Sequence, residues 1–162
     1  MDAYGLWKTA HVVSAAILFG TGLGIAFFAW FGYRRALLDR RIEGLRLVLR
    51  LTVIADTCFT APAVIFQLLS GLVLIRINGW PTFRPWSLWV FSLFALTGAC
   101  WLPVVVIQLL LSREGNGTNS VDALSQRFHR RYRWWVSLGV PAFLAVVGIF
   151  WLMVAKPLPA EL

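Results

Sequence analysis

The sequence predicts an all-α integral membrane protein: a four-helix bundle in one domain, residues 1–162, with both termini on the outer side. Three observations carry that prediction. The chain is 59% hydrophobic and only 14% charged, whereas an ordinary soluble domain is about 45–50% apolar and roughly 25% charged. A soluble chain this short could not cover so much apolar surface, because small domains leave a large share of it exposed. Finally, four apolar runs are each long enough to cross a bilayer, which takes about 20 residues of helix, and nearly all charge falls between them.

The expected helices are about 5–31, 51–75, 87–111 and 134–155. Helix one opens with "MDAYGLW", which has neither a basic leading segment nor a small-residue cleavage site, so it does not read as a removable signal peptide. Its glycines, in "GTGLG", follow no strand and open no helix, which excludes a dinucleotide-binding loop. Gly20 and Gly24 instead have the spacing of a helix-packing face in lipid.

Between helices one and two lies "YRRALLDRRIEGLRLVLR", with six arginines. Leu37, Leu38, Ile42, Leu45 and Leu49 recur there at roughly helical spacing, which predicts an interfacial amphipathic extension. Helix two carries Asp56, the only acid within a span. Arginines in the neighbouring loops make a structural ion pair its first expected role, and a proton relay the second. Pro62, Pro103 and Pro141 fall one to each later helix and predict kinks. The loop holding Trp80, Pro81, Phe83, Pro85 and Trp86 reads as a rigid aromatic cap at headgroup depth. The second basic segment, 112–133, begins with flexible Gly, Asn and Ser and turns helical around 122–133.

That segment holds Arg113, Arg127, Arg130, Arg131 and Arg133, while the other side of the spans has only Lys8, Arg76, Arg84 and Lys156. Short basic loops stay in the cytoplasm. Segments 33–50 and 112–133 are therefore expected inside, touching anionic lipid of a bacterial inner membrane. The charge of +8 thus reads as a topology signal, with no nucleic-acid partner implied. Asn116-Gly117-Thr118 matches a glycosylation sequon on the wrong side. Cys58 and Cys100 lie at different depths, which argues against a disulfide or a shared metal.

The residue best suited to cofactor chemistry is His11. An imidazole in a membrane helix marks a pathway or a ligand, and haem iron takes an axial imidazole. Its helix face continues through Ser14, Ala15, Leu18 and Gly22, a mostly small strip. Lys8, one turn nearer the surface, suits a haem propionate. Gln67 and Ser70 reach the same depth and could orient the imidazole. Met153 is a weaker candidate for a second ligand. His129 lies at the opposite end, and a hydrocarbon core of roughly 30 Å separates the two histidines, which excludes a bis-histidine haem within one chain. Haem b in electron transfer or haem handling is the leading expectation; any enzyme would be a haem-dependent membrane oxidoreductase. The bland alternative at His11 is a neutral imidazole hydrogen-bonded near the interface. A non-enzymatic assembly subunit, joined to itself or a membrane partner through Gly20 and Gly24, is the second reading. A small-solute transporter is the third.

Four segments together, "LWKTAHVVSAAILFGTGLGIAFF", "TAPAVIFQLLSGLVL" before "NGWP", "GACWLPVVVIQ" and "YRWWVSLGVPAFLAVVGIFWLMVAKP", resemble a bacterial family of predicted integral membrane proteins. That resemblance covers nearly the whole chain and implies the four-helix fold without an activity. Trp7-Lys8-x-x-His11, Pro62-Ala63 followed by Gly71, and "MVAKP" are more distantly similar to HemJ-type membrane protoporphyrinogen oxidases and CopD-like membrane proteins. This second likeness implies haem binding at His11. The chain has "GIAFFAWFGYR" where the HemJ type has a Leu-Pro-Arg stretch and a further histidine, and it has no lysine in helix three. The likeness therefore implies the scaffold and not the porphyrinogen chemistry.

Overall fold

The computed structural model describes residues 2–79 and 85–155. Its regular elements are helical: α1 (Ala3–Asp39), α2 (Glu43–Ala55), a wide turn (Asp56–Thr60), α3 (Ala61–Ile77), α4 (Pro85–Gly117) and α5 (Gln126–Ala155). α2, the wide turn and α3 form one continuous span, Glu43–Ile77, so four helices are long and apolar enough to cross a membrane. Pro85 and Trp86 open α4; Trp80, Pro81, Phe83 and Arg84 of the expected cap, and Lys156, lie outside the described residues.

The helices run further than the apolar stretches that announce them. α1 continues through Arg34 and Arg35 to Asp39, and α5 begins at Gln126. Arginine is a good helix former, and its long stem lets the charge reach water while the backbone stays helical. Arg34 lies over the Trp30 ring, 5.7 Å from its centroid, as such an interfacial residue should. α1 ends where Arg40 adopts a left-handed conformation, φ 54°. That reversal brings Ile42 back against the bundle.

The amphipathic segment after α1 is not a surface extension. Ile42, Leu45 and Leu49 are buried with Leu111, Val121, Leu124 and Phe128 in one cluster, while Leu37 and Leu38, on the last turns of α1, stay exposed. The segment carries the start of the second span and closes the arginine-rich end of the bundle. Arg46 fastens it: its Nε donates to the Gly115 carbonyl at 3.1 Å, and its Nη2 donates to the Thr118 carbonyl. Beside it Arg131 pairs with Glu114 at 2.9 Å, and Glu114 also accepts from Ser125.

The expected kink at Pro62 takes the form of the wide turn. Proline has no N–H for the carbonyl four residues back, and its ring crowds that carbonyl. The Cys58 carbonyl falls at that position, and the backbone widens just there: the Ala61 N–H bonds to the Asp56 carbonyl, five residues back. Pro103 and Pro141 sit inside α4 and α5, both of which continue through them.

Gly20 and Gly24 are not a packing face within the chain. A Cβ on either would meet nothing within 4 Å. Glycines that do admit a neighbour include Gly115, where a Cβ would stand 2.9 Å from Leu49 Cδ1, and Gly32, 3.0 Å from Val48 Cγ2. Hence Gly20→Leu should leave thermal stability in detergent unchanged, whereas Gly115→Leu should overpack the cluster and cost about 1–3 kcal/mol. Equal melting temperatures for the two variants would contradict this packing.

Candidate functional site

His11 sits where α1 crosses α3. From Tyr33, the last residue before Arg34, His11 is about 33 Å along the helix at 1.5 Å per residue. A hydrocarbon core of roughly 30 Å therefore places it at the core boundary opposite the arginines. Its Nδ1 is 2.7 Å from Ser70 Oγ. Ser70 spends its own proton on the Phe66 carbonyl at 2.5 Å. The serine oxygen must then accept, so the imidazole proton is on Nδ1 and Nε2 carries a lone pair. That Nε2 has no hydrogen-bond partner among the described residues.

Ser70 is wholly buried, and of the small residues expected along this face Ser14 meets α3 while Gly22 faces open space. Ser14 Oγ donates to the Ala63 carbonyl at 3.4 Å. Gln67 binds the His11 carbonyl rather than the ring, its Nε2 donating at 2.6 Å. A Cβ on Gly71 would lie 3.5 Å from His11 Cε1, so anything larger than alanine would press on the imidazole. Trp7 stacks on Phe66 at 6.2 Å. Lys8 is exposed one turn outward, over the Tyr4 ring. Met153 is half-buried near the end of α5. Phe19 of α1 packs between Phe143 and Phe150 of α5, at 4.8 and 5.4 Å; counting from the midpoint of those contacts, Met153 lies within about 2 Å of His11's depth along the bundle.

All four spans meet around a small cavity of about 60 Å³, lined among others by Ala15, Leu18, Gln67, Thr97, Trp101 and Phe150. At ~30 Å³ per water it has room for about two water molecules.

The second polar cluster surrounds Asp56 at the wide turn, about 21 Å along the helix from Ser70. The expected ion pair with a loop arginine is not formed. Asp56 is only 6% exposed, and its carboxyl accepts from neutral groups: Gln108 Nε2 at 2.6 Å and Trp101 Nε1 at 3.3 Å. Gln108 in turn accepts from Trp135 Nε1 at 3.4 Å, which orients its amide with the NH2 toward Asp56. The loop arginines lie beyond the cluster, and indole and amide donors from α4 already occupy both carboxylate oxygens. Asp56 thus ties the wide turn of the second span to α4 and, through Gln108, to α5.

At the arginine-rich end, Tyr132 stacks between Trp135 and Tyr33, with centroids 6.0 and 3.9 Å away. Tyr33 Oη is 2.6 Å from His129 Nδ1. His129 thus stands at the opposite end of the bundle from His11, as the sequence predicts. Nothing in the sequence pairs Tyr33 with His129, or Asp56 with Gln108; the only signal is that each is a polar residue in or beside an apolar run.

Among the described residues no three His, Cys, Asp or Glu side chains come together to hold a metal. Cys58 and Cys100 are free thiols.

Four long apolar helices, joined in their interior by hydrogen bonds between spans, define a polytopic integral membrane protein. Residues 5–157 match the family model of predicted integral membrane proteins designated DUF2269, and the chain belongs to that family. No curated protein and no solved structure matches the chain.

Proposed function

We propose that the protein is a b-type haem protein of the bacterial inner membrane, acting in electron transfer or haem handling. Its arginine-rich segments 33–50 and 112–133 would lie in the cytoplasm against anionic lipid. The observation that carries this reading is the 2.7 Å contact between His11 Nδ1 and Ser70 Oγ, with Ser70 also bonded to the Phe66 carbonyl. Ser70 holds Nδ1–H, and Nε2 is left as a lone-pair donor at the membrane boundary. That is the donor chemistry of an axial haem ligand, whose other ring nitrogen is ordinarily tied to a hydrogen-bond acceptor. At this rim the donor chemistry suits the group. The residues do not fit it in the interior, because a cavity of about 60 Å³ is far below the ~300–1,000 Å³ that a drug-sized ligand fills.

His11 would bind the iron, Lys8 would meet a propionate, and Ser70 with Gln67 would hold the ring and backbone of His11 in place. Met153, on α5 at about the same depth, is the weaker candidate for a second ligand. Haem supplies one-electron chemistry when bound; the chain's part is to orient the imidazole and to set its basicity through Ser70.

Protein purified from haem-replete cells, or given haemin in detergent, should show a Soret band that His11→Ala abolishes. Ser70→Ala should keep the band and raise the reduction potential, since an imidazole without its acceptor is a less basic ligand. Wild-type protein that stays colourless in both preparations would overturn the reading.

A second reading, an assembly subunit, is favoured by the open space at Gly20 and Gly24. That face is free for a second copy or a membrane partner. If the chain self-associates there, Gly20→Leu/Gly24→Leu should elute as a smaller species on a calibrated column. An unchanged oligomer would exclude this face.

A further inference from the structure

The N-terminal turns of α5 border a broad, open cavity of about 880 Å³ lined by Ser125, Gln126, Arg127, His129, Arg130, Arg131, Arg133 and Glu114. Only one of its four arginines is compensated: Arg131 pairs with Glu114, whose other oxygen accepts from Ser125. Arg127, Arg130 and Arg133 are exposed and have no carboxylate partner among the described residues. Three like charges around one cavity repel each other unless an anion enters. Gln126 adds an amide donor to the lining, while Ser125 spends its hydroxyl on Glu114. His129 Nδ1 is held by Tyr33 Oη at 2.6 Å, which fixes the ring in the wall. The start of a long helix contributes a partial positive charge at the same place.

We propose that this cavity is a binding site for a phosphate group. Guanidinium forks match phosphate oxygens in pairs, and the cavity holds several forks against one spent carboxylate. Trp134, 58% exposed beside Arg133, marks the depth at which aromatic residues meet lipid headgroups. A phosphate there belongs to an anionic phospholipid or to a soluble phosphate compound, and the two sources separate by experiment. The proposal sharpens the anionic-lipid contact of the proposed function to three residues and is independent of His11.

The test uses the full chain in a zwitterionic detergent. Thermal unfolding is followed while phosphatidylglycerol, or inorganic phosphate at constant ionic strength, is added. Arg127→Gln/Arg130→Gln/Arg133→Gln should weaken the half-saturating concentration at least about tenfold, as expected from losing charge-assisted bonds. Arg41→Gln/Arg50→Gln/Arg113→Gln should leave it unchanged. Both triple variants alter only exposed side chains, so failure to fold is not a common outcome. A response to phosphatidylglycerol alone assigns the site to lipid, and a response to phosphate assigns it to a soluble compound. Equal weakening by the two triple variants would overturn the site while leaving a diffuse anionic-lipid contact standing. No response to either probe would overturn both.

Discussion

Phe128→Ala should cost about 3–5 kcal/mol, the usual range for an aromatic truncation in a packed core, and should loosen the arginine-rich end before the spans. Phe128 is fully buried, and its cluster holds Ile42 and Leu45 of the first turn, Leu111 of α4, and Val121 and Leu124 of the following loop. These are the residues that fasten the two basic segments to each other. The cluster reaches Ala29, Val104 and Trp135 within the spans, but the part around Phe128 lies beyond Tyr33 and Arg50, at the end of the bundle that meets water, so the hydrophobic effect acts there as in a soluble domain. Lipid-embedded contacts have no such driving force. The check is a melting curve in detergent together with hydrogen exchange over residues 40–50 and 118–128. Early exchange should appear there in Phe128→Ala while the span amides stay protected. Uniform exchange, or an unchanged melting temperature, would show that the end does not depend on this side chain.

Asp56→Ala should be the most damaging polar substitution. It strands the N–H groups of Gln108 and Trp101, which donate to the carboxyl at 2.6 and 3.3 Å. An orphaned buried donor costs about 1–3 kcal/mol, which applies in full to Gln108 and only in part to the half-buried Trp101. Asp56→Asn retains one amide oxygen and should lose less, about half as much on the same scale. The order wild type, Asn, Ala in melting temperature is the expected result. A melting temperature for Asp56→Ala equal to wild type would mean the carboxyl does not hold the wide turn to α4. Ser70→Ala gives a useful contrast, since single hydrogen bonds between membrane helices average ~0.6 kcal/mol. Its main effect should be on whatever His11 binds, not on folding.

Several features were legible in the chain alone because lipid imposes them locally. A run such as Leu51–Ile75 can satisfy its backbone in hydrocarbon only as a helix, and arginines can end such runs but not sit inside them. The placement of His11 and His129 at opposite ends follows from the same counting. Ser14, Ala15 and Leu18 were readable as a smooth face, and they do lie against α3 or the cavity. Periodicity could not say which partner a face meets. Gly20 and Gly24 have the spacing of a packing motif, yet they face open space, while Gly115, at the frayed end of an apolar run, receives Leu49.

The sequence by itself determined the number of spans, their order and the charge that separates the two ends. Only the tertiary structure decided that Asp56 is held by Gln108 and Trp101 and not by an arginine. It also decided that the segment after α1 folds into a core instead of lying on lipid, and that His11 meets Ser70 through Nδ1, leaving Nε2 without a partner among the described residues. The reason is physical. Span formation depends on hydropathy summed along a contiguous stretch, whereas a hydrogen bond depends on two atoms meeting within about 3 Å. Residues as far apart in the chain as His11 and Ser70 meet only after every helix has found its rotation and depth.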